Sequence, residues 1–247
     1  MITAIIQARM GSSRLPGKVL KKFSGDCLIG HIMARLKHSR FISKIIVATT
    51  INQADDILVD WLNSRQVAVY RGSEQDVLER YYEAANYFEA NNIIRITSDD
   101  PFKDPEIIDK VAQLYFNQNL DFAYNNNPPT FAEGLDTEIF SYDALRRAHV
   151  RSKDPFEREH VTQHFFRNQK DFKQKNLVSP INYSYLRWTI DDEEDLEMTR
   201  IVYEKLYSPG KIFLAQDILD LLEREPTISL INQNVKRSDM YKNRTSI

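Results

Sequence analysis

A chain of 247 residues that is 42% hydrophobic and 28% charged, with few Gly and Pro, has the makings of one substantial folded core, which excludes disordered and fibrous classes. Its formal net charge of -2 gives no global drive toward nucleic acid or an anionic membrane, so polyanion binding must come from a local cluster. A single cysteine, Cys27, excludes an internal disulfide, Met1 leads into mixed sequence, and no run nears the roughly 18 to 20 apolar residues that span a bilayer; a cytoplasmic protein is expected.

Residues 2–8 (ITAIIQA) are apolar and β-rich, as in a buried parallel strand, and a loop over 11–17 ends them. Leu28, Ile29, Ile32, Met33 and Leu36 recur at helical spacing, with Arg35, Lys37 and His38 at the dipole's negative end. A strand over 44–49 and a helix over 54–64 follow. A strand over 67–70 then turns through Arg71-Gly72-Ser73 into a helix with Val77, Leu78, Tyr81, Tyr82, Ala85 and Phe88 inward. The strand at 93–97 runs into Ser98-Asp99-Asp100-Pro101, and Pro105 opens a helix to 116. This βα rhythm predicts an α/β fold with a mostly parallel sheet and right-handed crossovers.

Beyond 121 the rhythm loosens. Strands are expected at 121–125, 135–141, 176–179 and 185–190, and helices at 142–150, 155–168, 193–206 and 215–223. Residues 1–230 thus read as one domain, with a smaller lobe near 126–185, and 231–247 as a polar tail. No repeat or low-complexity segment interrupts them.

Three stretches could carry chemistry. Through Gly25 the chain holds Arg9, Arg14, Lys18, Lys21 and Lys22 and no Asp or Glu. Together with the backbone N–H groups of Gly11, Ser12 and Ser13, these suit a triphosphate, though the spacing fits neither GxxxxGK[ST] nor GxGxxG, and an exposed basic hairpin is the plainer alternative. Asp99 stands at a strand's carboxyl end, where open α/β sheets bind ligands. Facing a phosphate loop it suggests a magnesium ligand; alone, Asp99 or Asp100 could simply cap the turn before Pro101. Asp191 repeats that geometry after 185–190, whereas Asp192, Glu193 and Glu194 suit a helix N-terminus. Turn-rich or charged clusters also occur at Asp136 to Glu138 and at Arg158, Glu159 and His160, the last three pointing in different directions on one helix. No Cys/His metal spacing, nucleophile elbow or catalytic triad is present.

In order along the chain, IIQARMGSSRLPGKVL, VYRGSEQDVLERYYEAA, RITSDDPFKDPEIID, GLDTEIF, FEREHVT and LRWTIDDEEDLE closely resemble the cytidylyltransferase family that contains spore-coat polysaccharide biosynthesis protein F. That family is related to the enzymes making CMP-activated sialic and 3-deoxy-manno-octulosonic acids, and the resemblance spans residues 2–207. It implies a Rossmann-like nucleotidyltransferase, with a smaller acceptor and dimerisation lobe, that uses Mg2+ and CTP, releases pyrophosphate and forms a homodimer. Arg9, Ser12, Ser13, Arg14 and Lys18 match the triphosphate loop, joined on the nucleotide side by Gln7, Ala8, Gly11, Arg71, Gly72, Thr97 and Ser98. Asp99 and Asp191 match the metal carboxylates, and Asp136, Glu138, Arg158, Glu159 and His160 fall in acceptor-side blocks. Close relatives read Thr-Gly-Asp-Cys-Pro where this chain has Thr97-Ser98-Asp99-Asp100-Pro101, so Ser98 alters the approach of backbone to nucleotide and Asp100 adds charge beside the metal.

The expected reaction is attack of a small anionic acceptor, an acidic sugar, sugar phosphate or polyol phosphate, on the α-phosphorus of CTP. Surface polysaccharide or glycoconjugate synthesis is its expected setting. Arg14, Lys18, Asp99 and Asp191 would carry the chemistry, with no nucleic-acid or membrane partner. The alternatives are a glycosyltransferase taking an intact nucleotide sugar, which has no use for the triphosphate loop, and a noncatalytic nucleotide-binding scaffold, which would bind without turnover.

Overall fold

The computed structural model describes residues 1–236. Strand β1 (Ile2–Gln7) is followed by a short hairpin of β2 (Lys22–Phe23) and β3 (Asp26–Cys27), then α1 (Leu28–Leu36), β4 (Ile42–Thr50), α2 (Asp56–Ser64), β5 (Ala68–Gly72), α3 (Val77–Tyr87), β6 (Asn92–Thr97) and α4 (Pro105–Asn117). The second half carries β7 (Phe122–Tyr124), β8 (Glu138–Ser141), α5 (Tyr142–Arg151), α6 (Pro155–His160), α7 (Gln163–Arg167), β9 (Gln174–Asn176), α8 (Glu193–Leu206), α9 (Ala215–Arg224) and α10 (Thr227–Leu230).

Seven strands form one sheet in the order β5-β4-β1-β6-β8-β7-β9. β5, β4, β1 and β6 pair in parallel, β8 is antiparallel to both β6 and β7, and β9 is parallel to β7. The mostly parallel sheet expected from the βα rhythm is present, and the segment expected as a second lobe delivers two of its strands, β8 and β9, to that same sheet. Side chains alternate across each strand, so Ala4, Ile6, Ile94 and Ile96 join α1, α2, α4, α8 and α9 in one core. Ile5 and Ile93 face the opposite core with α3, α5 and α7.

Register positions the site. Gln7 lies opposite Ala48 on one side and Thr97 on the other, so β1 and β6 end level. The chain leaves β1 toward β4 and leaves β6 toward β7 and β8, opening a crevice at the carboxyl ends of the strands.

Several local expectations are corrected. The hairpin at 22–27 was not anticipated; Ser24 and Gly25 both take positive φ (45° and 88°), as a two-residue type I′ turn requires. A helix over 155–168 breaks at Val161, whose φ is 50°, because Thr162 turns inward to donate its hydroxyl to both Glu138 carboxylate oxygens at 3.1 Å. Strand β8 begins at Glu138 rather than 135, since the Asn125 side chain takes up the Leu135 carbonyl and Thr137 N–H. β9 falls two residues before the expected 176. Residues 185–190 contribute one bridge, Arg187 to Glu133, in place of a strand. The polar tail expected from 231 starts as packed chain: Asn232 is buried and donates to the Arg187 carbonyl (3.0 Å) and the Asp195 carboxylate (2.9 Å). The rest of that tail, 237–247, lies outside the described residues.

Candidate active site

The loop after β1 is held from both sides. Buried Asp55 accepts the Met10 N–H at 2.7 Å and the hydroxyls of Thr49 and Thr50, while the Met10 carbonyl accepts from Ser12 and Gly17, both at 3.0 Å. Burial pushes the Asp55 carboxyl up, but the Met10, Thr50 and Thr49 hydrogen bonds outweigh it and leave it below the usual carboxylate range. Leu15 plugs into the core. Gly17, at φ 68°, turns the chain left-handed so that Lys18 faces back into the crevice.

There the Lys18 ammonium donates to Asp191 at 2.9 Å, to Asp99 at 3.3 Å and to the Ile190 carbonyl at 2.7 Å. Asp99 and Asp191 are brought together by backbone: the Asp99 carbonyl accepts the Ile190 N–H at 2.8 Å and the Thr189 hydroxyl at 3.3 Å. Burial disfavours the charged form of Lys18, but Asp99 and Asp191 hold its pKa above the usual value. Burial likewise acts against ionised Asp191, yet Lys18, Arg14 and Arg187 hold it at about 2. Arg14 spans Asp191 and Asp192, each at 2.9 Å, so Asp192 serves both the α8 capping box and the loop after β1.

Behind them Arg187, buried, binds Glu133 (2.9 Å), Asp195 (2.8 Å) and Asp191 (3.0 Å), and these carboxylates hold it more basic than usual against the opposing effect of burial. A carboxylate donor set on one lysine ammonium is the chemistry a hard divalent cation takes, one or two carboxylates supplemented by phosphate oxygens and water. Asp99 and Asp191 therefore fit the expected magnesium. Among the described residues, no group of three or more His, Cys, Asp or Glu is arranged to hold a metal ion by itself.

Two clefts meet at this point. The larger, of about 780 Å³, is lined by the expected Gln7, Ala8, Arg9, Gly11, Ser12, Ser13, Arg14, Lys18, Thr97, Ser98, Asp99 and Asp191, and by Glu159 and His160. Arg9 reaches Glu74 at 3.1 Å across its rim. The smaller, of about 210 Å³, shares Arg14, Thr97, Asp99, His160 and Asp191 and continues to Asp136 and Glu138. Arg95 pairs there with Glu138 at 2.7 Å, and Lys103 with Asp100 at 2.7 Å. Asp100 is thus a buried ion-pair partner, further fixed by the Thr97 hydroxyl at 2.8 Å; burial nevertheless pushes it up to about 6.

Three expected contacts, Arg71, Gly72 and Arg158, lie outside both linings. Arg71 is turned away, bound to Asp56 (2.7 Å) and the carbonyls of Thr50 and Asn52 (both 2.9 Å). Arg158 fastens α6 to the N-cap of α3 through Asp76 at 2.5 Å. Gly72 does not line the clefts either, but it makes room for one residue that does: a Cβ there would stand 3.1 Å from the Arg80 side chain.

Arg80 is buried in the larger cleft's wall, its Nε without a hydrogen-bond partner among the described residues, and was missed from the sequence. Its signal was present, since position 80 falls on the inward stripe of α3 with Val77, Tyr81 and Ala84. Arg95, a charge inside the apolar IIRIT strand, carried a similar signal, because a buried charge demands a partner.

The family model described as cytidylyltransferase matches residues 3–228. The chain is 33% identical to the spore coat polysaccharide biosynthesis protein SpsF of Bacillus subtilis, over 91% of this chain and 95% of that one. It is 30% identical to a 3-deoxy-manno-octulosonate cytidylyltransferase of Idiomarina loihiensis, over 88% and 90%. A cytidylyltransferase structure from Leptospira borgpetersenii superposes with a TM-score of 0.88 at 32% identity, covering 96% of this chain and 98% of that one. A CMP:2-keto-3-deoxy-manno-octonic acid synthetase solved with CTP superposes at 0.63 and 17% identity, covering 83% and 99%, a likeness of fold alone.

Proposed function

Because the chain belongs to the cytidylyltransferase family, and is therefore a nucleotidyltransferase, we propose that it transfers CMP from CTP, with magnesium, to an acidic sugar, sugar phosphate or polyol phosphate, releasing pyrophosphate. The observation that carries this reading is Lys18 held between Asp99 and Asp191 where a nucleotide-sized cleft opens into a smaller one. CTP occupies the larger cleft with its β- and γ-phosphates on the N–H groups and cations of the β1 loop. The acceptor enters from the smaller cleft, and its oxygen attacks the α-phosphorus in line with the departing pyrophosphate. Arg14 and Lys18 balance the charge that accumulates on that leaving group. An anionic phosphate oxygen needs no base; a hydroxyl nucleophile gives its proton to Asp136.

Magnesium, held by Asp99 and Asp191, would neutralise charge at the transferring phosphoryl group. Lys18, which shares those two carboxylates, would then donate to the phosphates. Similarity to SpsF supports a role in surface polysaccharide or glycoconjugate synthesis, and the CTP requirement supports a cytoplasmic setting. No helix among the described residues is long and apolar enough to cross a membrane. The homodimer implied by the sequence resemblance belongs to the same proposal.

The test combines the purified protein with CTP, magnesium and a metabolite extract, reading pyrophosphate release and, by mass spectrometry, a new product containing CMP. Lys18→Ala should lower kcat/KM at least ~100-fold, of the order seen when a positioned charge-stabilising donor is removed. Absence of both CTP binding and pyrophosphate release sinks the proposal.

A further inference from the structure

The buried cations at and behind the smaller cleft, Arg95, Lys103 and Arg187, each pair with a carboxylate between 2.7 and 3.0 Å. Arg80, in the wall of the larger cleft and only 3% exposed, makes no ion pair among the described residues. Its Nη1 donates to the Ser73 carbonyl and its Nε is sealed off without a partner. Nη2 makes no hydrogen bond and, unlike Nε, is not sealed off, so the little surface Arg80 has opens on the cleft. The side chain is well placed: the hydroxyl of the next residue, Tyr81, donates to the Ile5 carbonyl at 2.9 Å and reaches the Ile96 carbonyl at 3.3 Å, pinning α3 to β1 and β6. Reaction geometry leaves this end of the cleft for the nucleoside. The α-phosphorus belongs at Asp99 and Asp191, where the smaller cleft opens, the pyrophosphate on the β1 loop, and the acceptor on the side of His160, which both clefts share. What remains is the wall of Gln7, Ala8, Val77 and Arg80, with apolar side chains for a flat ring and a guanidinium for its polar edge.

We propose that Arg80 reads the base of the nucleotide, its Nη2 group donating to the adjacent N3 and O2 acceptors of cytosine, and so sets the choice of CTP over UTP. The proposal rests on the transferase reading. A guanidinium only donates, and uracil carries an N–H at N3, so the wrong base sets donor against donor. Because Arg80 is desolvated, that mismatch leaves a buried donor unsatisfied, which costs more than the same mismatch in water. A site built to bond a substrate atom rejects the analogue that lacks it far more strongly than a shaped apolar pocket does. Arg71, the arginine that the sequence resemblance sets on the nucleotide side, does not supply this contact, since Asp56 and the carbonyls of Thr50 and Asn52 hold it away from the cleft. Gly72 contributes indirectly, because a Cβ there would stand 3.1 Å from the Arg80 side chain and press on it.

The experiment is calorimetric titration of the full chain with magnesium and, without acceptor, nucleoside triphosphates that alter one edge atom at a time. CTP should bind at least about tenfold more tightly than UTP. The triphosphate of 2-pyrimidinone riboside keeps N3 and O2 but lacks the 4-amino group, and should bind within about threefold of CTP; that of 3-deazacytidine keeps the amino group but lacks the N3 acceptor, and should fall to about the level of UTP. Arg80→Gln, whose amide both donates and accepts, should narrow the CTP to UTP ratio at least about fivefold and weaken CMP and CTP by the same factor. Tight binding of the 3-deaza compound, or a full loss on removing the amino group alone, overturns the proposal on the native protein, whether or not the variant folds. So does a variant that weakens CTP and UTP equally, the mark of a structural role, or one that weakens CTP but not CMP, the mark of a contact to the β- or γ-phosphate. Failure of the native protein to bind CTP at all removes the transferase reading itself, a separate and recognisable result.

Discussion

Lys18 and Asp191 meet at 2.9 Å, and Asp191 also takes Arg14 and Arg187, so three cations converge on one carboxylate. That concentration makes acid stability a direct readout of the site. Asp191 is held at about 2 against an ordinary value of 3.8, a depressed pKa. The stabilisation it supplies is therefore complete above the unfolded value and is lost as pH falls from about 4 through 2, of order 2 kcal/mol by linkage. Thermal unfolding between pH 5 and 2 should show this loss in the native protein and a flatter profile in Asp191→Asn. Equal slopes in the two would mean that the three cations do not act on Asp191 in solution.

At the scale of elements, the site depends on how the 133–137 turn abuts the segment entering α8. Gly134 has a φ of 102°, and a Cβ there would stand 2.5 Å from the Trp188 carbonyl oxygen. Gly134→Ala must both strain the backbone and push Trp188 away, displacing the residues that lead to Asp191. A loss of roughly 2 kcal/mol or more is expected, with a fall in kcat larger than a surface substitution gives; urea unfolding alongside CTP turnover checks both. An unchanged midpoint would show that the two segments separate at little cost.

These elements also mark what was legible beforehand. The apolar runs at 2–8 and 93–97, the stripes of α1 to α3 and Pro105 at the start of α4 are local signals, and they fix where the cationic loop and Asp99 emerge. The break at Val161 and the missing strand at 185–190 do not. Both arise from long-range polar partners, Glu138 for Thr162 and Glu133 with Asp195 for Arg187, which override local preference. The candidate site was readable where charge departed from its surroundings, as at Arg9 to Lys18. It was unreadable where the place of a charge depended on its partner, as for Asp100 with Lys103, Arg95 with Glu138, and Arg71 with Asp56 and the β4 end.

The whole molecule closes around the same point. Asn232, almost at the end of the described chain, ties the Arg187 carbonyl and Asp195 together, and Asp195 in turn accepts the Asp191 N–H at 2.9 Å. Asn232→Ala leaves buried polar groups without their donor and should cost about 1 to 3 kcal/mol. It should also reduce activity although the residue lines neither cleft. A calorimetric midpoint and a CTP-turnover assay on the same sample test the coupling; a lower midpoint with full activity would make the tether purely structural.

The bond between Arg14 and Asp192 joins residues 178 apart in the chain. During synthesis the cationic loop leaves the ribosome long before the acids that offset it, so an unfinished or prematurely released chain carries an uncompensated cluster of cations. The two sides of this junction meet only after α8 docks, which makes it a checkpoint on complete folding.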